Sequence, residues 1–474
     1  MAVQALGFCS SPIERTAMRI EASQPLPVWL QGVLLRTGPA LFELGQDQLA
    51  HWFDGLAKLQ QLTIGADGIV YTSRLLQSRA LHRYRRSGRL ASQEFASRPH
   101  RTGVRQLLEQ LVGPQLTDNG NVNVLPLPDG SWLALTETTR PIQISPTLDG
   151  ARPFRYSDRI QGQVTTAHPV CDSSSGEVIN LVIQLGLRSC YHFTSWHPGS
   201  GRRRLIASLP VRDPSYVHSF AVTPHFLVLL ESPLRVNPLR LRFSGLPYID
   251  NYRWRDMEAS QVWILERDTG RVVARHAWRP CFHFHVVNAW EEEGCVLVDL
   301  PLYDDAAVID GLRLAPLRAG RSLPSSRLCR LSIPLAGGRV QEERLMDQTV
   351  ELPGLHPAWQ GRRHPVAFVA ASSDGVFLDS LVRWQEGVGA SHRWRAPGCY
   401  PGEPLFVPGP AAGGDSGADQ GVVLSMVLDT ARSLSYLLVL DGCDLRELSR
   451  IDLPDVVPFS FHGQFALDAR ASPC

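Results

Sequence analysis

The sequence predicts an all-β protein built from short, closely spaced strands. Nine short runs rich in Val, Leu, Ile and Phe recur along the 474 residues, and turn-forming segments such as PDG, DSSSGE and RDTGR lie between them. Such spacing is typical of a β-sandwich, a β-barrel or a β-propeller. Helical periodicity is weak, and residues 103–113 (GVRQLLEQLVG) form the clearest candidate helix.

The predicted strands follow one another from the first third of the chain to its last residues. They are the runs 69–76, 131–137, 178–186, 225–231, 261–267, 294–300, 375–382, 421–428 and 435–441. Two longer segments, 125–137 and 262–278, each predict a hairpin with a DG or TG turn, the unit from which propeller blades are built. About seven blades of roughly 40 to 70 residues would account for this length, although no sequence repeat fixes the number.

Composition indicates a globular chain without a strong electrostatic preference. Hydrophobic residues make up 44% and charged residues 20% of the sequence, and the net charge is +1. This balance does not favour nucleic acid or an anionic membrane as a partner. No change in composition marks a linker, so we expect one domain over residues 1–474. The segment 409–421 is predicted to be a surface loop between strands.

Cysteine usage and hydropathy predict a cytoplasmic protein. The nine cysteines are scattered and never form CxxC, which argues against a disulfide framework or a thiolate metal site. The N-terminus lacks the apolar core of a signal peptide, and no run approaches the roughly 18 apolar residues that span a bilayer. Residues 103–113 and 234–254 mix apolar side chains with arginine. This pattern suits peripheral membrane contact and equally suits an ordinary core-facing helix and loop.

Four histidines have apolar or small neighbours that predict a position within strands. They are His168, His218, His285 and His462. Alternate side chains of a strand point to opposite faces, so single histidines from four strands can converge on the axis of a propeller. In FHFHVVNAW the alternation places His283 and His285 on the same face and does not choose between them.

Three separated glutamates, Glu137, Glu351 and Glu403, accompany these histidines. A metal-bound histidine normally donates its second N–H to a carboxylate or a carbonyl. Four neutral imidazoles without a thiolate suit Fe(II), Cu(II) and Zn(II) about equally. A tetrahedron of histidines would fit structural zinc, whereas an octahedral arrangement would leave two positions open, which suits iron and O2. The residue types alone leave this choice open.

At these residues the chain resembles the carotenoid cleavage oxygenase family. The segments GVLLRTGPALFELG (32–45), HWFDGLAKL (51–59), TDNGNVNV (117–124) and ALTE (134–137) are similar to segments of that family. TAHP, HSFAVT, FHVVNAWEE, ELPG, GEPLFVP and FHG then follow in the family's order. The matching motifs extend from residue 32 to residue 463.

The resemblance implies a seven-bladed β-propeller capped by loops and short helices, with non-haem Fe(II) on its axis. The implied ligands are His168, His218, His285 and His462. His285 is selected over His283 because the family histidine precedes two residues and an asparagine, here Asn288.

The resemblance also implies that Glu137, Glu351 and Glu403 accept N–H bonds from three of the ligands. His168, which precedes Pro169, is the ligand expected to lack a carboxylate. The implied walls of the substrate tunnel are Thr136, Tyr216, Phe284 and Tyr303, which flank the glutamate and histidine motifs.

The implied reaction is addition of O2 across a conjugated C=C bond of a carotenoid or apocarotenoid, giving aldehyde or ketone products. Central cleavage to a retinal-like aldehyde is the preferred form. Three alternatives stand beside it: a stilbene-cleaving oxygenase, an isomerohydrolase-like enzyme acting on a retinyl ester, and a non-catalytic propeller that serves as a binding scaffold. The stilbene-cleaving branch uses a lysine to ionise its substrate. The sole lysine here, Lys58, precedes the region where that branch carries its own.

Overall fold

The computed structural model describes residues 2–99, 116–172, 174–410 and 419–467. Its strands are short and antiparallel. In chain order the first fifteen are β1 (Arg15–Ile20), β2 (Gly32–Leu41), β3 (Glu43–Leu44), β4 (Asp47–Gln48), β5 (Leu56–Gly65), β6 (Gly68–Leu75), β7 (Asn123–Pro126), β8 (Trp132–Leu135), β9 (Ile142–Ile144), β10 (Ala151–Pro153), β11 (Val164–Thr165), β12 (Val170–Cys171), β13 (Val178–Gln184), β14 (Ser189–Trp196) and β15 (Arg204–Val211).

The strands continue through the second half of the chain, with short helices between some of them. They are β16 (Ala221–Val222), β17 (Phe226–Glu231), β18 (Leu234–Val236), β19 (Tyr252–Trp254), β20 (Ser260–Glu266), β21 (Val272–Trp278), β22 (Asn288–Glu292), β23 (Cys295–Tyr303), β24 (Ser326–Pro334), β25 (Gln341–Met346), β26 (Val350–Gly354), β27 (Val366–Ala371), β28 (Ser380–Gln385), β29 (Gly389–Trp394), β30 (Cys399–Pro401), β31 (Leu405–Pro408), β32 (Gly421–Asp429), β33 (Leu434–Asp441), β34 (Glu447–Asp452) and β35 (Gly463–Leu467).

Seven sheets of four or five strands follow one another along the described chain. Their strand orders are β1-β6-β5-β2-β35, β10-β9-β8-β7, β11-β13-β14-β15 with β12 also on β13, β16-β17-β20-β21, β22-β23-β24-β25, β26-β27-β28-β29, and β30-β32-β33-β34 with β31 also on β32. The last strand pairs with β2, in a register that joins Gly32 to Leu467 and Arg36 to Gly463. This pairing closes the ring, and the predicted seven-bladed β-propeller is confirmed.

Burial follows the position of each strand within its blade. The strand β32 is buried on both faces over nearly its whole length because neighbouring blades cover it. The strand β25, at the outer edge of its blade, exposes its first four residues. The continuous apolar runs of the sequence therefore correspond to the middle strands of blades. The run 375–382 is the exception: residues 375–379 form bends and unpaired backbone, and β28 begins only at Ser380.

Short helices connect several of the strands, and most of them form, with loops, a cap on one side of the ring. The α-helices are α1 (Arg79–Ser87), α2 (Pro238–Phe243), α3 (Ala307–Gly311) and α4 (Leu314–Arg318), and the 3₁₀ helices are Val3–Phe8, Trp52–Asp54, Ile249–Asn251 and Pro357–Trp359. The helix α1 begins at Ser78, whose hydroxyl accepts from the Leu81 N–H, and ends at Gly88 with φ 65°.

A large apolar cluster joins this cap to the propeller. Leu81 of α1, Val308 of α3 and Leu314 of α4 belong to the same cluster as Phe284 and Phe461 from the propeller.

In the parts of the chain described above, no helix combines the length and the apolar character needed to cross a bilayer. The predicted helix 103–113 and residues 411–418 of the predicted surface loop lie outside the described residues.

Candidate metal centre

Four histidine rings converge where the inner strands of four blades meet the cap. The rings of His168, His218, His285 and His462 each offer one nitrogen, and these four atoms lie within 4.8 Å of one another. Nε2 of His168 is 3.0 Å from Nε2 of His218, and Nε2 of His285 is 3.2 Å from Nε2 of His462. The folded chain thus brings together residues that are up to 294 positions apart in the sequence.

The prediction that these histidines lie within strands is wrong. His168 lies between β11 and β12, and the other three precede β16, β22 and β35. Polar side chains interrupt the ladder there. Next to His168, the Asn180 side chain accepts from the Thr166 hydroxyl at 2.6 Å and donates to the Thr166 carbonyl at 3.0 Å. A break in the pairing of the innermost strand frees each ring to point toward the axis.

Three carboxylates hold three of the rings in one orientation. Nδ1 of His218 lies 2.7 Å from Glu137 Oε1, Nδ1 of His285 lies 2.6 Å from Glu351 Oε2, and Nδ1 of His462 lies 2.7 Å from Glu403 Oε1. An ionised carboxylate only accepts hydrogen bonds, so in each neutral ring the proton is on Nδ1 and the lone pair of Nε2 faces the cluster. Among the contacts of the described residues, none joins His168 to a carboxylate.

A further layer of side chains holds the glutamates. The Tyr216 hydroxyl donates to Glu137 at 2.7 Å, and the Tyr303 hydroxyl donates to Glu351 at 3.0 Å. Glu403 instead meets a buried cation, because the Arg36 guanidinium lies 3.2 Å from its Oε2. Two of the three carboxylates therefore have a neutral phenol as their outer partner, and the third has a full positive charge.

Burial disfavours the charged form of three ligand rings, those of His168, His218 and His462. It lowers the pKa of His168 well below its usual value, and the neighbouring histidines act in the same direction. It also lowers the pKa of His218 to about 4, although Glu137 opposes the shift. Burial would raise the pKa of Glu403, but His462 and Arg36 outweigh it and the net pKa falls below the usual value. Neutral imidazole is the form that binds a metal.

His285 belongs to the cluster and His283 does not. The His283 ring is buried, and its Nε2 has no hydrogen-bond partner among the described residues. Burial lowers the pKa of His283 to about 4, so this ring is also neutral at pH 7. Strand alternation could not separate the two histidines because both precede β22 and neither lies in a strand.

A largely apolar cavity opens directly over the histidines. It comprises about 1300 Å3 of space between atoms, including its mouth, and its wall contains His218, His285 and His462. Aromatic rings line the part nearest the cluster: Phe53 packs edge-on against Phe461 with 5.0 Å between ring centroids. Such a shape fits a long apolar molecule better than a small polar one.

Three of the four expected wall residues line this cavity. Thr136, Phe284 and Tyr303 do so. Tyr216 is not among the lining residues, since its ring lies behind the wall and its hydroxyl is directed at Glu137. The lysine that would be required for phenol chemistry is also absent from the wall. Lys58 Nζ contacts the hydroxyl and the carbonyl of Ser11 instead.

Some residues of the site were not singled out in the sequence. Arg36 is one, although a charge within the otherwise apolar strand GVLLRTGPAL is a recognisable signal of a buried ion pair. Phe53 lies within HWFDG and Phe461 within FHG, but an aromatic residue in such a motif does not by itself indicate a cavity wall. Glu94, a buried acid in the wall, follows no pattern that marks it.

Comparison with known proteins places nearly all of the chain in one family. The family model described as RPE65, retinal pigment epithelial membrane protein, matches residues 10–467. The chain is 33% identical to carotenoid cleavage dioxygenase 8 homolog A, chloroplastic, of Oryza sativa subsp. japonica, over 92% of this chain and 83% of that protein. It is 29% identical to the mitochondrial carotenoid-cleaving dioxygenase of Mustela putorius furo, over 93% and 92% of the two chains.

The fold is that of a solved structure from the same group of proteins. Cobalt-substituted Synechocystis ACO, an apocarotenoid oxygenase, superposes with a TM-score of 0.87 at 24% identity, covering 98% of this chain and 99% of that one. At this identity the superposition shows the shared propeller. The sequence matches carry the assignment: the chain belongs to the RPE65/carotenoid cleavage oxygenase family.

Proposed function

We propose that this protein is a non-haem Fe(II) dioxygenase that cleaves a conjugated C=C bond of a carotenoid or apocarotenoid with O2. The products are two carbonyl compounds, and central cleavage would give a retinal-like aldehyde. One observation carries the proposal: four histidine rings, three of them fixed by carboxylates, cluster at an apolar cavity whose wall contains His218, His285 and His462. The sequence relatives named above are carotenoid-cleaving dioxygenases, which agrees with this activity.

The donor set fits iron with open positions. Two nitrogen ligands at about 2.1 Å from a metal are about 3.0 Å apart when they subtend a right angle and about 3.4 Å apart in a tetrahedron. The distance between Nε2 of His168 and Nε2 of His218, 3.0 Å, matches the right angle, and that between His285 and His462, 3.2 Å, lies midway between the two values. His168, His218, His285 and His462 would therefore hold Fe(II) with positions left for other ligands. Iron held in this way supplies the activation of O2 on which non-haem oxygenases rely.

The protein's own residues bind, orient and protect the substrate. Phe53, Phe284 and Phe461 surround the space above the histidines, so a polyene lying there has its double bonds in contact with aromatic rings rather than with water. Glu137, Glu351 and Glu403 keep the lone pairs of three rings directed at the metal position. Exclusion of water protects reactive intermediates from side reactions.

A panel of substrates tests this function. Purified protein reconstituted with Fe(II) would be incubated with carotenoids, apocarotenoids and stilbenes, and aldehyde products would be identified by mass. We expect cleavage of at least one polyene and no stilbene cleavage, because Lys58 lies outside the cavity wall. Stilbene cleavage without polyene cleavage would reject the proposal. Absence of any cleavage by iron-loaded protein would favour the binding scaffold.

Oxygen labelling separates the proposal from the isomerohydrolase alternative. An oxygenase transfers label from O2 into its aldehyde products, whereas isomerohydrolysis of a retinyl ester proceeds without O2. We expect labelled aldehydes and no turnover under strict anaerobiosis. Formation of a retinol isomer in the absence of O2 would establish the alternative.

We also propose that the protein is cytoplasmic and touches a membrane surface peripherally, which would give apolar substrates a route to the cavity. The helix α2 and the turn after it expose Leu239 (49%), Phe243 (55%) and Leu246 (37%), with Arg240 and Arg242 between them. Apolar side chains flanked by arginines suit the headgroup layer of a bilayer. Co-sedimentation with phosphatidylcholine vesicles, compared with that of the Leu239→Ser/Phe243→Ser variant, tests the contact. Equal sedimentation of the two proteins would contradict it.

A further inference from the structure

Two walls of the cavity face each other across the histidines. One wall is attached to the second and third blades: Thr138 follows β8, forms a bridge with Val164 of β11, and donates its hydroxyl to the Thr117 carbonyl at 2.8 Å. The other wall includes Thr349, before β26, and Phe377, before β28, both of the sixth blade. The segment before β24 of the fifth blade completes it, and the Leu323 N–H donates to the Gly375 carbonyl at 2.8 Å. In a ring of seven blades, the sixth lies half a turn from the gap between the second and the third.

Glu94 lies in the first wall and has an oxygen without a partner. The residue is 4% exposed, it lines the cavity, and its Oε1 makes no hydrogen bond within the described chain. The bridge between Gln93 and Leu116 holds Glu94 next to Thr117. A buried polar atom without a partner costs free energy, and its retention next to a cavity indicates that something in the cavity bonds to it.

The acids next to Glu94 are occupied within the fold. Asp54 accepts from the N–H groups of His51 and Ala96, and Asp118 accepts from the N–H groups at the start of α1. Burial raises the pKa of Glu94 well above its usual value, and the nearby Asp54 and Asp118 raise it further. A protonated carboxyl group can both donate to and accept from a neutral oxygen, so it suits an alcohol or an aldehyde.

The facing wall offers a different surface. It is formed largely by Leu323, Pro324, Val376, Phe377 and Leu378. Ser372 also lies there, but its hydroxyl accepts from the Gly375 N–H at 2.9 Å. One end of the cavity is therefore lined by an acid whose buried Oε1 has no hydrogen-bond partner among the described residues, and the other is lined mainly by hydrocarbon.

We infer that Glu94 binds an oxygen function, hydroxyl or carbonyl, at one terminus of the polyene and so fixes which way the substrate lies across the histidines. The preferred substrate class is then an apocarotenoid with one oxygenated end and one hydrocarbon end. This inference rests on the proposed function for its substrate, but the binding preference is a property of the cavity and is measurable without turnover.

Binding of two matched probes tests the inference. Retinol and 15-deoxyretinol, which lacks the hydroxyl, would be titrated against the purified full-length protein, with quenching of tryptophan fluorescence as the signal. We expect retinol to bind about tenfold more tightly, as one hydrogen bond to a buried group allows. Equal affinities in the wild-type protein would overturn the inference whatever the behaviour of any variant.

Two substitutions at one position locate the preference. Glu94→Met removes hydrogen bonding at similar volume and should bring the retinol to deoxyretinol affinity ratio close to one. Glu94→Gln retains a donor and an acceptor and should keep most of the ratio. Thr349→Val, which removes a hydroxyl from the facing wall, should leave the ratio unchanged. An undiminished ratio in Glu94→Met, or a loss of the ratio in Thr349→Val alone, would show that Glu94 is not the anchor.

Turnover separates failure of the inference from failure of the proposed function. With Fe(II) bound, kcat/KM would be measured for an apocarotenol and for the hydrocarbon of equal length. Cleavage of both with equal kcat/KM would keep the function and reject the Glu94 anchor. A preference of about tenfold in probe binding without any cleavage would keep the anchor and reject the function.

Discussion

Tyr216 and His218 share one oxygen of Glu137. The Tyr216 hydroxyl and Nδ1 of His218 each lie 2.7 Å from Oε1 of that carboxylate. At Glu351 the arrangement differs, since Tyr303 uses Oε1 and His285 uses Oε2. Both glutamates thus connect a phenol to a candidate metal ligand. Each tyrosine contacts a histidine ligand only through a glutamate. A substitution at this outer position should therefore affect metal binding.

Glu351→Gln should weaken Fe(II) binding by about 10–100-fold, because the amide is a weaker acceptor for the His285 N–H and holds the ring less firmly. Competition with a chelator under anaerobic conditions measures this affinity. Glu343→Gln on the exposed edge strand β25 is the matched control and should bind iron as the wild type does. An unchanged affinity in Glu351→Gln would remove this glutamate from the metal centre.

Tyr216→Phe should lower the free energy of unfolding by about 1.5–3 kcal/mol, because it removes a hydrogen bond to a charged group. Urea denaturation measures the loss. Tyr252→Phe breaks a bond between two neutral hydroxyls, that of Tyr252 with Tyr248 at 2.7 Å, and should cost about 1 kcal/mol. If Tyr216→Phe costs no more than Tyr252→Phe, then Glu137 does not carry the buried charge that the geometry implies.

Arg36→Met should destabilise the protein by about 3–5 kcal/mol, since it leaves the carboxylate of Glu403 buried and without its cation. Arg36 also donates to the Phe461 carbonyl at 2.9 Å. The double variant Arg36→Met/Glu403→Gln removes the orphaned charge and should recover part of the loss. Additive losses in urea denaturation would mean that the two side chains do not act as an ion pair.

The stability contributed by His51 should depend on pH. Burial lowers its pKa to about 3, from 6.5 in the unfolded chain. The unfolded state therefore takes up the proton first as the pH falls. The stability contributed by neutral His51 is complete above pH 6.5, and it is lost as the pH falls toward about 3. The stability advantage of the wild type over His51→Asn should shrink by about 2 kcal/mol between pH 7.5 and pH 5. A constant difference would mean that His51 is accessible to protons in the folded protein.

Most strands could be predicted from the sequence because the middle strands of blades are continuous apolar runs bounded by turns. The ring closure could not, since the pairing of Gly32 with Leu467 joins the two ends of the chain and leaves no local pattern. The apolar run 375–382 predicts a strand throughout, but residues 375–379 are unpaired and Phe377 lines the cavity. One domain over residues 1–474 stays a prediction.

The candidate site was predictable in its residue types and less so in its geometry. Strand alternation predicts that single histidines from several strands can converge on the axis. The choice of His285 over His283 rests instead on the family motif around Asn288. Tyr216 is predicted to line the tunnel because it flanks the His218 motif, but it is not among the residues that line the cavity. Its hydroxyl faces Glu137. Glu94 carries no sequence signal because its distinction, an oxygen without a partner, exists only in the folded chain.

The iron content of the reconstituted protein tests the central claim most directly. Wild-type protein and the His218→Ala variant would be loaded anaerobically with Fe(II), freed of excess metal and assayed for iron and for polyene cleavage. We predict about one iron per chain with cleavage in the wild type, and loss of both in His218→Ala. Less than about half an equivalent of iron in the wild type, or retained cleavage in His218→Ala, would contradict the account.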